Sequence, residues 1–220
     1  YEPFIATGRS SAETRDIMES ANIHSGIFMN GQVVLYQGER VYSSEIPTET
    51  VERFHQMVKE DGYGLTAYND KEFYLVESSA GAKDAYGFIH TNPPALKEDF
   101  YKENPINMML FISLPPAEEK YKVAFPNLDF LRNTPYSVDV ISKGNSKAEG
   151  IKRFLEHLNQ EDAETYAFGD GPNDIEMLQA VTHPVAMENA LPVLKEIAEF
   201  ITTNNTDNGI VNGLKHYGLI

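Results

Sequence analysis

The chain contains no cysteine. Disulfides, thiolate zinc sites and cysteine nucleophiles are therefore excluded, and the composition suits a reducing compartment. Apolar residues make up 41% of the sequence, yet no run of them approaches the ~20 needed to span a bilayer, and no basic stretch leads into an apolar one as in a secretory leader. A cytoplasmic location is the expectation. Positive charge is scarce, with 18 Lys and Arg against 33 Asp and Glu and a formal net charge of −15. Such a field disfavours an extended nucleic-acid interface or an anionic membrane surface. A small anionic substrate needs local cations or a metal to outweigh it. There is no P-loop pattern and no Gly-x-Ser-x-Gly elbow. The six histidines, at 24, 55, 90, 157, 183 and 216, have no paired ligand spacing, which argues against a histidine metal site. No internal repeat or low-complexity linker is visible.

What the 220 residues do contain is regular patterning. An apolar strand over Pro3 to Ala6 precedes Ser10 and Glu13, a capping-box spacing that predicts a helix over Ser11 to Ala21. The stretch GIFMNGQVVLYQGERVYSSEI reads as a strand, a turn at Asn30-Gly31, and a hairpin closing near Gln37-Gly38. Beyond Pro47, a helix with Val51, Phe54 and Val58 on one face ends near Gly62, and a hairpin turns at Asn69-Asp70. INMMLFISLP reads as a strand, PAEEKYKVAFPNL as a short helix and YSVDVIS as a strand. The Pro47 and Asn133 to Pro135 regions are the expected boundaries.

After Ser142 strand and helix alternate. A helix with Ile151, Phe154, Leu155 and Leu158 toward the core follows a Ser146/Glu149 capping box. TYAFGD is a strand, GPNDIEMLQAV a helix, HPVAM a strand and LPVLKEIAEFI a helix, an order that implies parallel pairing with right-handed crossovers. The expected architecture is α/β: a core built from residues 1–46 and 136–220, expected to touch residues 47–135, an inserted second domain, mainly through two linkers.

Three places carry chemistry. Thr7 and Gly8 follow a strand and precede a helix amino end, where free N–H groups attract an anion; a merely capped turn is the other reading. Lys147 falls at the first helical position, against the helix dipole, which makes sense beside an anion; a solvated surface lysine is the other reading. GDGPND, residues 169–174, is the strongest signal. Asp170 at a strand end is a hard oxygen ligand suited to Mg²⁺, Gly171 permits the sharp turn, and Asn173 and Asp174 can orient a ligand or a neighbouring lysine. Helix capping accounts for one such residue but not for three polar groups around two glycines.

IATGR, Asn30-Gly31, KGNSK, GDGPNDIEML and VAMENA, in this order, resemble the haloacid dehalogenase superfamily, specifically the Cof-type phosphatases with a large α/β cap. The resemblance implies a Rossmann-like parallel-sheet core with an inserted α/β cap, and Mg²⁺-dependent hydrolysis of a small phosphorylated metabolite, with sugar phosphates as the implied class. It implies Thr7, Gly8, Lys147 and Asn173 as phosphate contacts, Lys147, Asp170 and Asp174 as catalytic residues, Asp170 and Asp174 as metal residues, and Asn189 as a residue near the site. It departs at one motif: such enzymes use an Asp-x-Asp-Gly strand end whose first Asp attacks phosphorus, and these residues contain no Asp-x-Asp. The expectation is that this strand precedes Tyr1. The rival is a pseudo-phosphatase that binds phosphorylated ligands without cleaving them.

Overall fold

A computed structural model describes residues 1–220, and its strands fall into three sheets. The first is built near the amino end. Strand β1 (Ile5–Ala6) pairs in parallel with β2 (Gly26–Phe28) after helix α1 (Ser11–Ala21), and β2 continues antiparallel into β3 (Val33–Tyr36) and β4 (Glu39–Ser43). Helix α1 starts where its capping box places it: Ser10 Oγ accepts from Glu13 N, and the Glu13 carboxylate accepts from Ser10 N at 2.8 Å.

Helix α2 (Thr48–Asp61) opens the middle segment and ends at Gly62, whose positive φ of 75° permits the left-handed cap. There follow β5 (Gly64–Tyr68), β6 (Phe73–Glu77), α3 (Ala82–Phe88), α4 (Phe100–Glu103), β7 (Met108–Ile112), α5 (Glu118–Ala124), β8 (Leu128–Thr134) and β9 (Ser137–Ser142). Their five strands form one antiparallel sheet in the order β6-β5-β7-β9-β8. Alternation sorts its two faces. Leu65, Ala67, Met109, Phe111, Val138 and Val140 pack with Val51, Phe54 and Val58 of α2 and with Tyr121 and Phe125 of the α5 region. Tyr68, Met108 and Ile141, on the opposite face, pack against Phe28 and Val33 of the first sheet and Met29 of the turn between them.

Two expectations are corrected by this arrangement. The boundary at 135 falls inside a hairpin: Ser137–Ser142 is not a core strand but lies between β7 and β8, so this sheet's segment runs to Ser142. Nor is contact with the core confined to the linkers. The apolar cluster around Phe28 and Ile141, the Arg40–Asp70 ion pair at 3.2 Å and a hydrogen bond from Ser11 Oγ to Asp70 O join the two.

The last third follows the βα pattern. Helix α6 (Lys147–Leu158), β10 (Tyr166–Gly169), a 3₁₀ turn at Pro172–Asp174, α7 (Ile175–Ala180), β11 (His183–Ala186), α8 (Pro192–Ile197), β12 (Phe200–Ile201) and α9 (Gly209–His216) succeed one another. The strands β10, β11 and β12 pair in parallel. The first and third sheets are not joined by a ladder, yet they share one apolar cluster, in which Ile27 and Val34 meet Ile151, Phe154, Ala167, Leu178 and Ala186. The helix expected over Leu191 to Ile201 stops at Ile197, because Phe200 and Ile201 pair with Val185 and Ala186 instead. Helix α9 lies in a stretch to which the sequence pattern assigns no element. No helix is long and apolar enough to cross a membrane.

Candidate active site

The turns after β1, β2 and β10 and the start of α6 converge, and a chain of hydrogen bonds links them. Thr7 follows the first strand; its carbonyl accepts from Asn30 N at 3.1 Å and its Oγ1 accepts from Arg9 N at 3.1 Å. Asn30 sits in the left-handed region at φ 55° and ψ 40°, a conformation that asparagine tolerates better than most residues. Its buried side chain then faces two ways. Oδ1 accepts from Asn173 Nδ2 at 3.0 Å, and Nδ2 donates to Asp139 Oδ2 at 3.0 Å.

Lys147 is the first residue of α6, with Ser146 as N-cap accepting from Glu149 N. Only this half of the expected capping box forms. The Lys147 side chain is 6% exposed and Nζ donates to Asp174 Oδ1 at 2.6 Å; the Asp174 side chain is 8% exposed. Asp174 Oδ2 accepts from the Asp170 and Gly171 amides, both at 3.0 Å. This carboxylate is therefore held by a cation on one oxygen and by two turn amides on the other. Gly169 is glycine for a matching reason, since a Cβ there would stand 2.7 Å from Asp174 Cβ.

Asp170 is on the open side of the turn. Its Oδ2 accepts from Asn189 Nδ2 at 2.7 Å, while Asn189 Oδ1 accepts from Asn205 N at 3.1 Å. The two carboxylates expected to share a metal thus stand differently: Asp174 has both oxygens engaged, whereas Asp170 keeps one oxygen without a protein partner. No group of three or more His, Asp or Glu side chains is arranged to hold a metal ion.

Thr7, Lys147, Asp170, Asn173 and Asp174 all belong to this connected arrangement, and Gly8 lies beside it, 3.3 Å separating the position of a Cβ there from the Asn30 amide. Sequence reading missed Asp139 and Asn205. Asp139 comes from β9, and its carboxyl is pushed up to about 6 by burial, which two amide hydrogen bonds and Lys147 only partly offset. A signal existed, since Asp139 is the one charged residue in the otherwise apolar and hydroxylic run SVDVIS. A cleft of about 790 Å³ lies elsewhere, lined by Tyr63, Ser79, Leu114, Lys120 and Tyr136, and contains none of these groups.

Residues 1–214 match the family described as haloacid dehalogenase-like hydrolase. YkrA of Bacillus subtilis (strain 168), named as a candidate phosphatase, is 36% identical over 221 residues, covering 100% of this chain and 86% of that protein. A crystal structure of a hypothetical protein from Geobacillus kaustophilus HTA426 superposes with a TM-score of 0.91 at 31% identity, over 99% of this chain and 85% of the other. The sugar phosphatase BT4131, of haloacid dehalogenase subclass IIB, superposes with a TM-score of 0.84 at 28% identity, over 99% and 85%. With its α/β fold shared along nearly the whole length, the chain belongs to the haloacid dehalogenase-like hydrolases.

Proposed function

We propose that this hydrolase cleaves phosphate monoesters of small metabolites, sugar phosphates among them, through an aspartyl-phosphate intermediate. The observation that carries the reading is the buried Lys147–Asp174 pair set beside the Asp170 and Asn173 side chains and the Thr7–Gly8 turn. A lysine held in place by a carboxylate, a hydroxyl, an amide donor and a free Gly8 N–H suit the oxygens of a phosphoryl group. The named phosphatase relatives and the sugar phosphatase neighbour support the same chemistry.

In this reading Asp170 holds Mg²⁺. Its one unpartnered carboxylate oxygen would serve as a hard ligand for a cation that keeps most of its water. Asp174, with both oxygens taken, is assigned instead to fixing Lys147 and the turn. When bound, the cation neutralises charge on the phosphoryl group. Lys147 would neutralise charge on the phosphoryl oxygens, and Thr7 and Asn173 would orient them. A carboxylate attacks phosphorus, the ester P–O bond breaks and the leaving alkoxide takes a proton; water then cleaves the acyl phosphate and releases inorganic phosphate. No Asp-x-Asp occurs in these 220 residues, so the attacking carboxylate is assigned to a residue outside them, as is the proton donor. The five-stranded sheet and its helices act as a cap over the site, excluding water.

The same missing pair favours the second reading, a protein that binds phosphorylated ligands without turnover. Assaying p-nitrophenyl phosphate hydrolysis by the full-length protein, with and without Mg²⁺, decides between them. Mg²⁺-dependent turnover supports the phosphatase; saturable phosphate binding with no turnover supports the binder.

A further inference from the structure

One carboxylate reaches the site from the opposite side. Asp139 lies on β9, in the sheet that packs over the first, and its Oδ2 accepts from Asn30 Nδ2 and from Asn133 Nδ2, each at 3.0 Å. Both bonds fall on the same oxygen, and Oδ1 has no protein partner. The carboxylate stands over the Thr7–Gly8 turn, with Oδ2 3.3 Å from where a Gly8 Cβ would lie. Strand β8 lies against the Pro172–Asp174 turn, so the β8–β9 face covers both turns assigned to the phosphoryl group.

A phosphoryl group on Thr7 and Gly8 puts the first atoms of its leaving group within reach of Asp139. The other side chains on that side of the sheet, among them Thr66, Tyr68, Leu110, Leu131, Asn133 and Ile141, include no lysine or arginine. Lys147 is committed to Asp174, Arg9 is an exposed residue of the turn itself, and the Glu13 carboxylate adds negative charge near Asp139. The face thus offers a free acceptor and no cation of its own; the positive charge that reaches Asp139 is that of Lys147, which Asp174 already pairs. A hydroxyl beside the ester oxygen can donate to Asp139 Oδ1, whereas a second anion there meets a carboxylate.

We propose that Asp139 is a specificity-determining residue: it accepts a hydrogen bond from a hydroxyl of the leaving group and turns away leaving groups that carry a second phosphate or carboxylate. The inference rests on the phosphatase reading above and adds to it a residue and a selection rule. Its neighbours tune the same device. Asn30 ties the carboxylate to the phosphate turn, so the reader of the leaving group is held in register with the reader of the phosphoryl group.

The experiment compares the full-length enzyme with Asp139→Asn and Asp139→Ala on three probes: p-nitrophenyl phosphate, which has no leaving-group hydroxyl, glucose 6-phosphate and fructose 1,6-bisphosphate. The expected result is that kcat/KM for glucose 6-phosphate relative to p-nitrophenyl phosphate falls about tenfold or more in both variants, while the preference for glucose 6-phosphate over the bisphosphate shrinks by a similar factor. Asp139→Glu restores part of both ratios. Equal losses on all three probes, or unchanged ratios, overturn the proposal, because a merely structural residue moves all three together. Far-ultraviolet circular dichroism identifies a variant that fails to fold, and the remaining variants then decide. If no protein hydrolyses any probe, the phosphatase reading fails on its own, and calorimetric binding of glucose 6-phosphate and the bisphosphate reads the same selectivity: a tenfold narrowing in the variants supports the role of Asp139, and no narrowing overturns it.

Discussion

Lys147 Nζ stands 2.6 Å from Asp174 Oδ1, and the two side chains are almost wholly removed from water. Two charges so placed repay their desolvation only together. Lys147→Ala strands the Asp174 carboxylate and is expected to destabilise the fold by about 3–5 kcal/mol. The double variant Lys147→Met/Asp174→Asn is expected to recover part of that loss. Urea denaturation of the single and double variants measures both; equal stability of Lys147→Ala and the parent would show that the pair is solvated.

Asn30 joins three segments through one side chain. Asn30→Asp replaces the amide donor with a second carboxylate facing Asp139, and like charges at hydrogen-bond distance cannot both ionise without cost. The expected outcome is affinity for inorganic phosphate weakened by about tenfold or more at pH 7.5, read by calorimetry, with partial recovery at pH 5 where one of the two carboxyls is protonated. Unchanged affinity would place phosphate away from this turn.

Gly31 and Gly38 separate backbone freedom from close packing. Both have positive φ, 92° and 82°, but a Cβ on Gly31 would stand 2.1 Å from Ser146 O, whereas one on Gly38 meets nothing within 4 Å. Gly38→Ala is expected to cost about 1 kcal/mol from φ strain alone. Gly31→Ala adds a backbone collision at the start of α6 and is expected to cost roughly 3 kcal/mol or more. Parallel denaturation curves test the ranking, which fails if the two variants lose equal stability.

How much of this was legible in the sequence varied with how local the cause was. Helix α1 was readable because Ser10 and Glu13 bond to each other's backbone within one turn. The alternation of β10, α7 and β11 was readable because each element buries its own periodic apolar face. Strand β8 was not, since its charged residues have partners distant in sequence: Arg132 forks onto Glu118 and onto Ser113 O, and Asp129 accepts from Gly144 N. Pro135 consequently looked like a domain boundary when it closes a hairpin. The same held at the site. Asp170, Asn173 and Asp174 were visible as a cluster in one turn, while Asp139, 109 residues from Asn30, becomes a neighbour only through the packing of one sheet on another.

Asp139 also predicts a pH dependence. Burial raises its carboxyl from the ordinary 3.8 to about 6, so between those values the folded protein holds a proton that the unfolded chain has released. Stability therefore falls as pH rises from about 4 to 6, and the penalty is constant above that. Two pKa units correspond to about 3 kcal/mol; half-burial of the side chain reduces this to roughly 1–2 kcal/mol. Asp139→Asn is expected to flatten this portion of the pH–stability curve. The midpoint of thermal unfolding, measured for both proteins from pH 4 to 7, checks it, and parallel curves would remove Asp139 as the cause.

In the proposed reaction Lys147 serves phosphoryl transfer as a fixed cation and Asp170 as the Mg²⁺ ligand. The most direct measurement is the Mg²⁺ titration of p-nitrophenyl phosphate hydrolysis by the full-length protein, its Asp170→Asn variant and its Lys147→Ala variant. The predicted result is saturable Mg²⁺ activation in the parent, at least a hundredfold loss of kcat/KM in each variant, and a higher Mg²⁺ requirement in Asp170→Asn alone. Full activity with an unshifted Mg²⁺ midpoint in Asp170→Asn would contradict it.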